Sequence, residues 1–396
     1  MGVGRAAVAV DSGVAGMRGR PGRFLSLDLL RGLTIGFMIL VNNQGSGSAY
    51  WPLKHAAWNG FTPTDLVFPT FLFLVGISTV LSTEARLAKG ATKQSLFFHA
   101  VRRAVILFLL GLLVNSFPQF DLHTLRIYGV LPRIAICYFA VATLYLVSPN
   151  WKKAAVLLAV ALGLYWVLMR FVPVPGYGIP THDVPLLDRD GNLVAWLDRK
   201  IFAPSHLYEK VRDPEGLIST LPALGTALMG MLTGIWLRTG RSMAEKARGI
   251  AIAGISGVIA GGVWNLWFPI NKKLWTSSYV LFAGGLSLLL LALSMWIVDL
   301  RRKGEGETGR QAWWSTVLLV FGLNAIAAYV FSELLSSALS SIFVALHVDA
   351  QRRPYGQIHA LIPDAAVASL LYSLGFVAVC WLAMYGLYRR RIFIKI

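Results

Sequence analysis

Residues 65–83 read DLVFPTFLFLVGISTVLST and carry one charged side chain, that of Asp65. A helix needs about 20 mainly apolar residues to cross a bilayer, so this run predicts a membrane span. The whole chain is 56% hydrophobic and 14% charged, whereas soluble domains are roughly a quarter charged. Such runs predict an all-α polytopic integral membrane protein with ten transmembrane helices, at about 25–43, 65–83, 101–117, 129–148, 153–171, 218–237, 249–268, 277–298, 315–335 and 364–388.

The basic residues of the chain gather at the ends of these apolar runs. With the N-terminus in the cytoplasm, 23 Lys and Arg residues fall in cytoplasmic segments and 12 in segments on the other side. This is the positive-inside distribution, and it predicts that both termini are cytoplasmic. The formal charge of +18 therefore needs no nucleic-acid partner, and the surface that we expect it to meet is the lipid bilayer.

The charge pattern and the composition also divide the chain. We predict a disordered cytoplasmic tail at 1–24, a ten-helix transmembrane domain at 25–388 and a basic cytoplasmic tail at 389–396. A loop at 172–217, rich in Pro, Gly and Asp, is predicted to cap the outer mouth of the bundle. A second outer stretch, 336–363, begins with small and apolar residues and is predicted to hold a helix lying at the membrane interface.

Several motifs that would indicate other chemistry are absent from the sequence. Cys137 and Cys380 lie inside apolar runs without metal-ligand spacing, so we predict no metal site. There is no Walker A, GxSxG, HExxH or GxGxxG motif, which gives no support to ATP-driven transport, serine hydrolysis or zinc proteolysis. Two pairs of small residues four apart predict close helix packing: Gly230 with Gly234, and Gly257 with Gly261.

The polar loop between the first two spans is the best candidate for a functional site. His55 can take and return a proton near neutral pH, although beside Trp51 and Trp58 it could also belong to an interfacial aromatic belt. Asp65, ten residues further on, is a carboxylate at the mouth of a span, where charges are costly and usually paired or functional. It could orient His55 or cap the following helix, and both roles are compatible.

Other polar residues lie at the ends of the spans or within them. An amide such as Asn42 can donate to a developing oxyanion, or it can cap a helix. Arg31 can pair with Asp28 across one helical turn or bind an anionic ligand from the cytoplasm. A basic cluster of the same kind, which could also be ordinary positive-inside charge, is formed by His99, Arg102 and Arg103. Four more polar residues lie at membrane depth and predict either a polar cavity opening outward or interhelical hydrogen bonds: Arg133, Asn265, Asn324 and Glu333.

Several uncommon residues recur in a fixed order along the chain. They are SLDLLRG at 26–32, KHAAWNG at 54–60, DLVFP at 65–69, GVLPR at 129–133 and NKKLWTSSYV at 271–280. This set resembles the heparan-α-glucosaminide N-acetyltransferase family and its bacterial relatives, within the wider transmembrane acyltransferase group. The resemblance extends from about residue 24 to about residue 335.

The resemblance implies an enzyme of the transmembrane acyltransferase fold that carries acetyl from cytoplasmic acetyl-CoA to an amino sugar across the membrane. The active-site histidine of the family falls on His55 and its active-site asparagine on Asn42, while Asp65 would orient His55. Arg31, Arg102, Arg103 and Arg133 would hold the CoA phosphates. Trp58, Asn59 and Asn324 would contact the acceptor.

The resemblance also sets expectations about the setting of the enzyme. It implies the inner membrane of a bacterium, with the His55 loop outside the cytoplasm, and a homodimer, of which no residue here gives a separate indication. The large luminal N-terminal domain of the lysosomal enzyme is not expected in this chain. The spacer between Asn42 and His55 is longer and richer in Gly and Ser. In a bacterium, a cell-envelope sugar or another amine is a more plausible acceptor than heparan glucosamine.

Two other functions are compatible with the same residues. One is an O-acetyltransferase that acts on hydroxyl groups of a cell-envelope glycan or a lipid-linked sugar. The other is a solute transporter or flippase in which His55 relays protons. For an acetyltransferase, His55 could deprotonate the acceptor in a ternary complex or carry the acetyl group itself in a ping-pong reaction.

Overall fold

The computed structural model describes residues 24–300, 313–349 and 353–394. Within these residues, ten helices are long and apolar enough to cross a membrane, as predicted. The predicted tail at 1–24 lies outside the described residues except for Phe24. In chain order the α-helices are α1 (Leu25–Asn42), α2 (Val67–Leu87), α3 (Lys93–Ser116), α4 (Val130–Val147), α5 (Trp151–Phe171), α6 (Leu193–Ile201), α7 (Thr220–Leu237), α8 (Met243–Trp264), α9 (Ser277–Ser294), α10 (Trp313–Leu323), α11 (Ala325–Ala345), α12 (Pro354–Leu361) and α13 (Ala365–Arg389).

Two spans begin earlier than predicted because polar residues cap their first turns. The side chain of Thr92 accepts a hydrogen bond from the Ser95 amide, so α3 begins at Lys93 rather than near 101. A capping box formed by Ser242 and Glu245 starts α8 at Met243 rather than near 249. Hydropathy does not detect these first turns because they are polar. Since α3 begins at Lys93, the basic cluster of His99, Arg102 and Arg103 lies within the helix.

The predicted ninth span, 315–335, is wrong, because the chain breaks at Asn324 into α10 and α11. Asn324 leaves helical geometry with φ −123° and ψ 37°. Its side chain accepts a hydrogen bond from the Ile394 amide and donates one to the Ile392 carbonyl, which ties the break to the C-terminal segment. The prediction of an interfacial helix starting at 336 is also wrong, since those residues continue α11 to Ala345.

The helices divide into a packed centre and a perimeter. In the most apolar window of α2, 72% of residues are buried, against 17% in that of α3. The most extensive helix contacts join α8 to α9, α2 to α7, α3 to α4 and α1 to α10. The exposed apolar side chains of the perimeter helices suit a lipid environment.

Both predicted glycine pairs lie at close helix contacts, which confirms their packing role. A Cβ at Gly230 would lie 2.1 Å from the Phe73 carbonyl oxygen, where α7 crosses α2. A Cβ at Gly261 would lie 2.5 Å from the backbone nitrogen of Phe282 on α9. Any side chain at these positions would push the helices apart, so the glycines fix the distance between the central helices.

The loop between α5 and α7 folds on the bundle with a small core of its own. Val174, Leu187 and Val194 pack with Tyr165 of α5 and with Phe268 from the loop after α8. Ion pairs also fasten it, since Arg126 contacts both Asp213 and Glu215. Trp58 packs against the same small core, so this loop lies beside the end of the bundle that carries His55.

The two ends of the bundle are named here by their residues. Phe24 and Ile394, the first and last described residues, line one cavity, and this end is called the terminal face. The opposite end, where α2 is preceded by Asp65 and the His55 loop, is called the His55 face. Helix α2 runs from the His55 face at Val67 to the terminal face at Leu87.

Candidate active site

The centre of the candidate site is a histidine held by a buried carboxylate. His55 Nδ1 lies 2.7 Å from Asp65 Oδ1. The His55 side chain is 42% exposed, whereas that of Asp65 is 1% exposed. Because a carboxylate can only accept a hydrogen bond, Nδ1 carries the proton and Nε2 is left with a lone pair.

Asp65 combines this role with that of a helix cap. Its Oδ2 accepts hydrogen bonds from the backbone amides of Ala56 and Thr62 and from the Thr62 hydroxyl. Thr62 and Asp65 form the capping box of the 3-10 turn Pro63–Leu66, which leads into α2. The Tyr279 hydroxyl donates to the Asp65 carbonyl oxygen. The carboxylate is therefore rigidly held, and both sequence interpretations of Asp65 apply.

A lysine from a distant part of the chain contacts the same imidazole. Lys272 Nζ lies 3.2 Å from His55 Nε2 and 3.1 Å from Nδ1. The pKa of His55 is lowered from 6.5, first because protein atoms displace water around the ring, and further by the charge of Lys272; its hydrogen bond to Asp65 raises it. His55 is therefore a neutral base at neutral pH.

Two further predicted residues, Asn59 and Trp58, join the His55 loop to neighbouring loops. Asn59 accepts a hydrogen bond from the side chain of Asn271. The Trp58 indole donates to the Leu187 carbonyl. The guanidinium of Arg212 lies 4.5 Å from the centre of the Trp58 ring system, and that of Arg189 lies 5.5 Å from it. Both residues sit at the His55 face, and Trp58 fastens the 172–217 loop there.

Asn42 lies at the His55 face and contacts another helix. Its side-chain amide donates to Glu333 of α11 across 3.4 Å. The next residue, Asn43, is buried and donates to the Ile39 carbonyl, which makes it the cap of α1. The structure thus assigns the capping role to Asn43, and Asn42 keeps an exposed amide beside a carboxylate.

A cavity of about 1070 Å³ opens at the terminal face. This is at the upper end of the range for small-molecule sites. Along α2 its lining extends from Arg86 to Phe71. Phe71 is six residues from Asp65, which corresponds to about 9 Å at 1.5 Å per residue. The basic residues that line it are Arg31, Arg86, Lys89, His99 and Arg103.

The four arginines predicted to bind phosphate fall into two groups. Arg31 and Arg103 line the cavity, whereas Arg102 and Arg133 are not part of its lining. Arg103 lies over the Tyr138 ring at 4.5 Å, and its Nε is buried with no hydrogen-bond partner among the described residues. A buried donor of this kind fits an anionic ligand such as a phosphate.

Arg133 is placed where it supports the fold. Its side chain is 1% exposed, donates to the Gly216 carbonyl and to the Ser219 hydroxyl, and lies 5.1 Å from the centre of the Trp275 ring. These contacts join α4 to the start of α7 and to the loop that carries Lys272. Arg133 does not line the terminal-face cavity, so this arrangement gives it no contact with a ligand there.

Asn324 lies at the terminal face, far from His55. Its neighbours Leu323 and Ala325 line the cavity, as do Phe393 and Ile394 of the segment that it binds. The structure therefore does not bring Asn324 together with Trp58 and Asn59. Hydropathy does not reveal the break at Asn324, so the distance between Asn324 and the other two residues could not be predicted.

Lys272 is the site residue that sequence reasoning missed. It lies inside the NKKLWTSSYV motif, but 217 residues separate it from His55, and nothing local indicates the contact. Cys137 and Cys380 are buried and unpaired. No group of metal-ligating side chains occurs among residues 24–300, 313–349 and 353–394.

These features define a class: a multi-pass helical membrane protein with a His–Asp pair at one face and a basic cavity at the other. A family model described as heparan-alpha-glucosaminide N-acetyltransferase, catalytic, matches residues 23–268. The chain belongs to this family. The matched segment contains His55, Asp65 and the cavity residues of α1 to α3.

Two relatives extend the comparison. Heparan-alpha-glucosaminide N-acetyltransferase of Homo sapiens is 29% identical over 366 residues, which cover 79% of this chain and 53% of the human protein. The protein of the same name from Mus musculus is 28% identical over 373 residues, covering 81% of this chain and 55% of the mouse protein. The chain thus spans about half the length of the curated relatives that it matches.

Proposed function

We propose that this protein is a membrane acetyltransferase that moves acetyl from acetyl-CoA to an amino sugar or a related glycan acceptor on the opposite side of the membrane. The observation that carries the proposal is the pairing of exposed His55 with buried Asp65 at one face while a basic cavity opens at the other. A soluble donor and a remote acceptor can approach the same site from opposite sides in this arrangement.

The terminal-face cavity is the proposed donor site. Arg31 and Arg103 are positioned for the phosphates of CoA, with Arg86, Lys89 and His99 adding positive charge around them. Arg31 is held by Asp28 and by the Ser78 hydroxyl, which keeps its guanidinium at the wall. The pantetheine arm would extend along α2 past Phe71, so the stretch between Phe71 and Asp65 must open for transfer.

The acceptor reacts at the His55 face. His55 Nε2 takes a proton from the acceptor amine as its nitrogen attacks the thioester carbonyl, and the carbonyl oxygen becomes an oxyanion. Asn42 is the proposed amide donor to that oxyanion. The C–S bond then breaks, CoA leaves as a thiolate and the imidazolium returns the proton to sulfur. In a ping-pong variant, Nε2 itself attacks and carries the acetyl group.

The sidedness of the proposal follows from the charge distribution. The terminal face is assigned to the cytoplasm by the positive-inside rule, so residues 1–24 and 389–396 are cytoplasmic and the His55 loop is not. The 172–217 loop then lies on the outer side as a cap. The proposed location is the inner membrane of a bacterium.

The decisive experiment uses the purified protein in sealed liposomes with a glucosamine-terminated oligosaccharide enclosed. Acetyl-CoA labelled in its acetyl group is added outside, and labelled N-acetyl product is measured inside. The wild type is expected to form product, while His55→Ala forms none and still binds CoA. Absence of CoA binding at millimolar concentration would overturn the proposal. A hydroxylamine-labile ester product would indicate O-acetylation, and acceptor movement without acetyl-CoA would indicate a transporter.

The same preparation separates the two routes. Wild-type protein incubated with labelled acetyl-CoA and no acceptor is examined for label on the His55 peptide. Label there that chases into the acceptor supports ping-pong transfer. Label that enters product in a single turnover without ever residing on the protein supports the ternary complex.

A further inference from the structure

We infer that Lys272 is a positioning residue for the proposed transfer: its ammonium, in contact with the imidazole of His55, keeps that ring neutral, so that Nε2 stays free of a proton. The inference rests on the proposed role of His55 as the base or nucleophile. It adds to that proposal the group that sets the protonation state of the imidazole.

Asp65 defines the tautomer of His55, and the charge of Lys272 opposes protonation of the ring. The ammonium of Lys272 lies almost equally close to both ring nitrogens, 3.2 Å from Nε2 and 3.1 Å from Nδ1, so it contacts the ring as a charge and does not lie along the lone pair of Nε2. The carboxylate of Asp65 can only accept, so its 2.7 Å contact requires a proton on Nδ1. Nε2 is therefore left with the lone pair, and the positive charge beside the ring opposes its protonation.

The backbone that carries Lys272 is fixed against the His55 loop. On one side, the Gly60 amide donates to the Ile270 carbonyl. Beside it, Asn271 donates to Asn59, and its side-chain oxygen accepts from the Leu274 amide. Two hydrogen bonds therefore join the loops immediately before Lys272, and the ammonium is a built part of the site.

The charges that face His55 come from three segments. Asp65 precedes α2, Lys272 belongs to the loop between α8 and α9, and Glu215 lies at the end of the 172–217 loop. Asp65 and Glu215 favour the imidazolium, and Lys272 opposes it. Protonation of His55 would place a second cation about 3 Å from Nζ. Of these groups, Lys272 is the one whose charge keeps the ring neutral.

The position of Nζ also has a consequence for turnover. Because Nζ does not lie along the Nε2 lone pair, the acceptor can approach Nε2 while the ammonium stays beside the ring. Lys273, its neighbour, pairs instead with Glu209 at 2.7 Å and is the matched control.

The experiment measures the titration of His55 without requiring turnover. Diethyl pyrocarbonate acylates neutral histidine, and mass spectrometry of the His55 peptide gives the pH midpoint of that reaction in detergent-solubilised protein. In Lys272→Met the midpoint is expected to rise by about one unit, since nearby charges shift pKa values by about that amount. In Lys272→Arg, which keeps the charge, it is expected to stay within about half a unit of the wild type.

The control separates this effect from a general loss of charge. In Lys273→Met, the pH midpoint of His55 acylation is expected to equal that of the wild type. In each variant, the low-pH side of the pH profile of kcat/KM (its acid limb) is expected to move with this midpoint. A midpoint in Lys272→Met equal to that in Lys273→Met would overturn the inference. If Lys272→Met does not fold, judged by loss of CoA binding, Lys272→Gln takes its place in the same comparison.

Failure of the inference is distinguishable from failure of the proposed function. If the wild type forms no acetylated product, the proposed function is wrong, whatever the pH midpoints of His55 acylation are. An active wild type with an unmoved midpoint in Lys272→Met and Lys272→Gln would sink only the role of Lys272.

Discussion

The carboxylate of Asp65 holds His55 with one oxygen and the start of α2 with the other. Oδ1 lies 2.7 Å from His55 Nδ1, while Oδ2 accepts from the amides of Ala56 and Thr62. The orientation of the imidazole is thereby tied to the helix whose other end lines the cavity. Any movement of α2 along the bundle is transmitted to the ring.

Asp65→Asn is expected to lower acetyl transfer by about 10²- to 10⁴-fold, the range for loss of a positioned acid–base group. An amide can turn its NH₂ towards Nδ1, and the tautomer is then no longer fixed. Loss of the carboxylate also removes the hydrogen bond and the charge that raise the pKa of His55. The His55 midpoint and the acid limb of kcat/KM should therefore move to lower pH, opposite to Lys272→Met.

Thr62→Val is the control for this variant. It removes the hydroxyl that contacts Oδ2 of Asp65 and the Lys54 carbonyl oxygen, and it leaves the His55–Asp65 contact. Its thermal stability should fall slightly, whereas the acid limb should stay in place below pH 6.5, the ordinary histidine value. If the acid limb of kcat/KM moved by a similar amount in both variants, capping of the helix, rather than the carboxylate charge, would set the protonation of His55.

Substitution of the cavity arginines should weaken donor binding selectively. Arg31→Met and Arg103→Met are each expected to raise the Kd for CoA by about 10- to 100-fold, the equivalent of one charged hydrogen bond. Arg102→Met is the matched control on the same helix and should change Kd less than about twofold, because an exposed charge is largely screened. Calorimetry in detergent measures all three.

The Kd values for CoA of Arg102→Met and Arg103→Met also test whether donor binding depends on a defined contact. Equal losses in Arg102→Met and Arg103→Met would mean that the whole basic end of α3 attracts the donor, without a defined contact. Titration with 3′-dephospho-CoA then identifies the phosphate: an arginine that contacts the 3′ group has no effect on this ligand.

The sequence was sufficient to predict those features whose signals are local. Nine of the ten predicted spans follow from continuous apolar runs, and His55 and Asp65 lie ten residues apart with a helix start between them. The glycine pairs gave close helix contacts for the same reason. Each of these signals lies within about one helix length of chain.

Other features depend on how distant segments pack. Arg102 and Arg103 point about 100° apart on a helix, and which of them faces the cavity depends on the packing of α3 against α4. Lys272 reaches His55 only because the loop after α8 folds against the loop before α2. The break at Asn324 is held by Ile392 and Ile394, about 70 residues away. No local pattern contains this information.

The contact of α7 with α2 should be sensitive to a single methyl group. Gly230→Ala would place Cβ 2.1 Å from the Phe73 carbonyl oxygen, and such overpacking typically costs about 1–3 kcal/mol. We expect a lower melting temperature and a loss of transfer, because α2 carries both the cavity wall and the Asp65 cap. Tryptophan fluorescence during heating in detergent measures the change.

Gly262→Ala provides the reference for this variant. Gly262 lies on α8, and a Cβ there meets nothing within 4 Å. A helical Gly→Ala change without a clash stabilises by about 0.5–1 kcal/mol, so its melting temperature should equal or exceed that of the wild type. Equal melting temperatures for the two variants would mean that α7 can shift away from α2 at no cost.

Asn324 should control the wall of the donor cavity through the C-terminal segment. Its side chain makes both hydrogen bonds to Ile392 and Ile394, and Phe393 and Ile394 line the cavity. Asn324→Leu removes both bonds at a cost of about 1 kcal/mol each. The segment is then expected to detach more often, which should weaken CoA binding severalfold and speed tryptic cleavage after Arg389.

Asn115→Leu tests whether these effects are specific to the C-terminal segment. Asn115 also makes two side-chain hydrogen bonds to the backbone, at the Arg126 and Tyr128 carbonyls, but near the start of α4. Its loss should lower stability by a similar amount without faster cleavage after Arg389. Saturating CoA should slow that cleavage in the wild type, because a ligand against Phe393 and Ile394 holds the segment in place. Cleavage that is unchanged in Asn324→Leu and insensitive to CoA would show that the segment does not form part of the donor site.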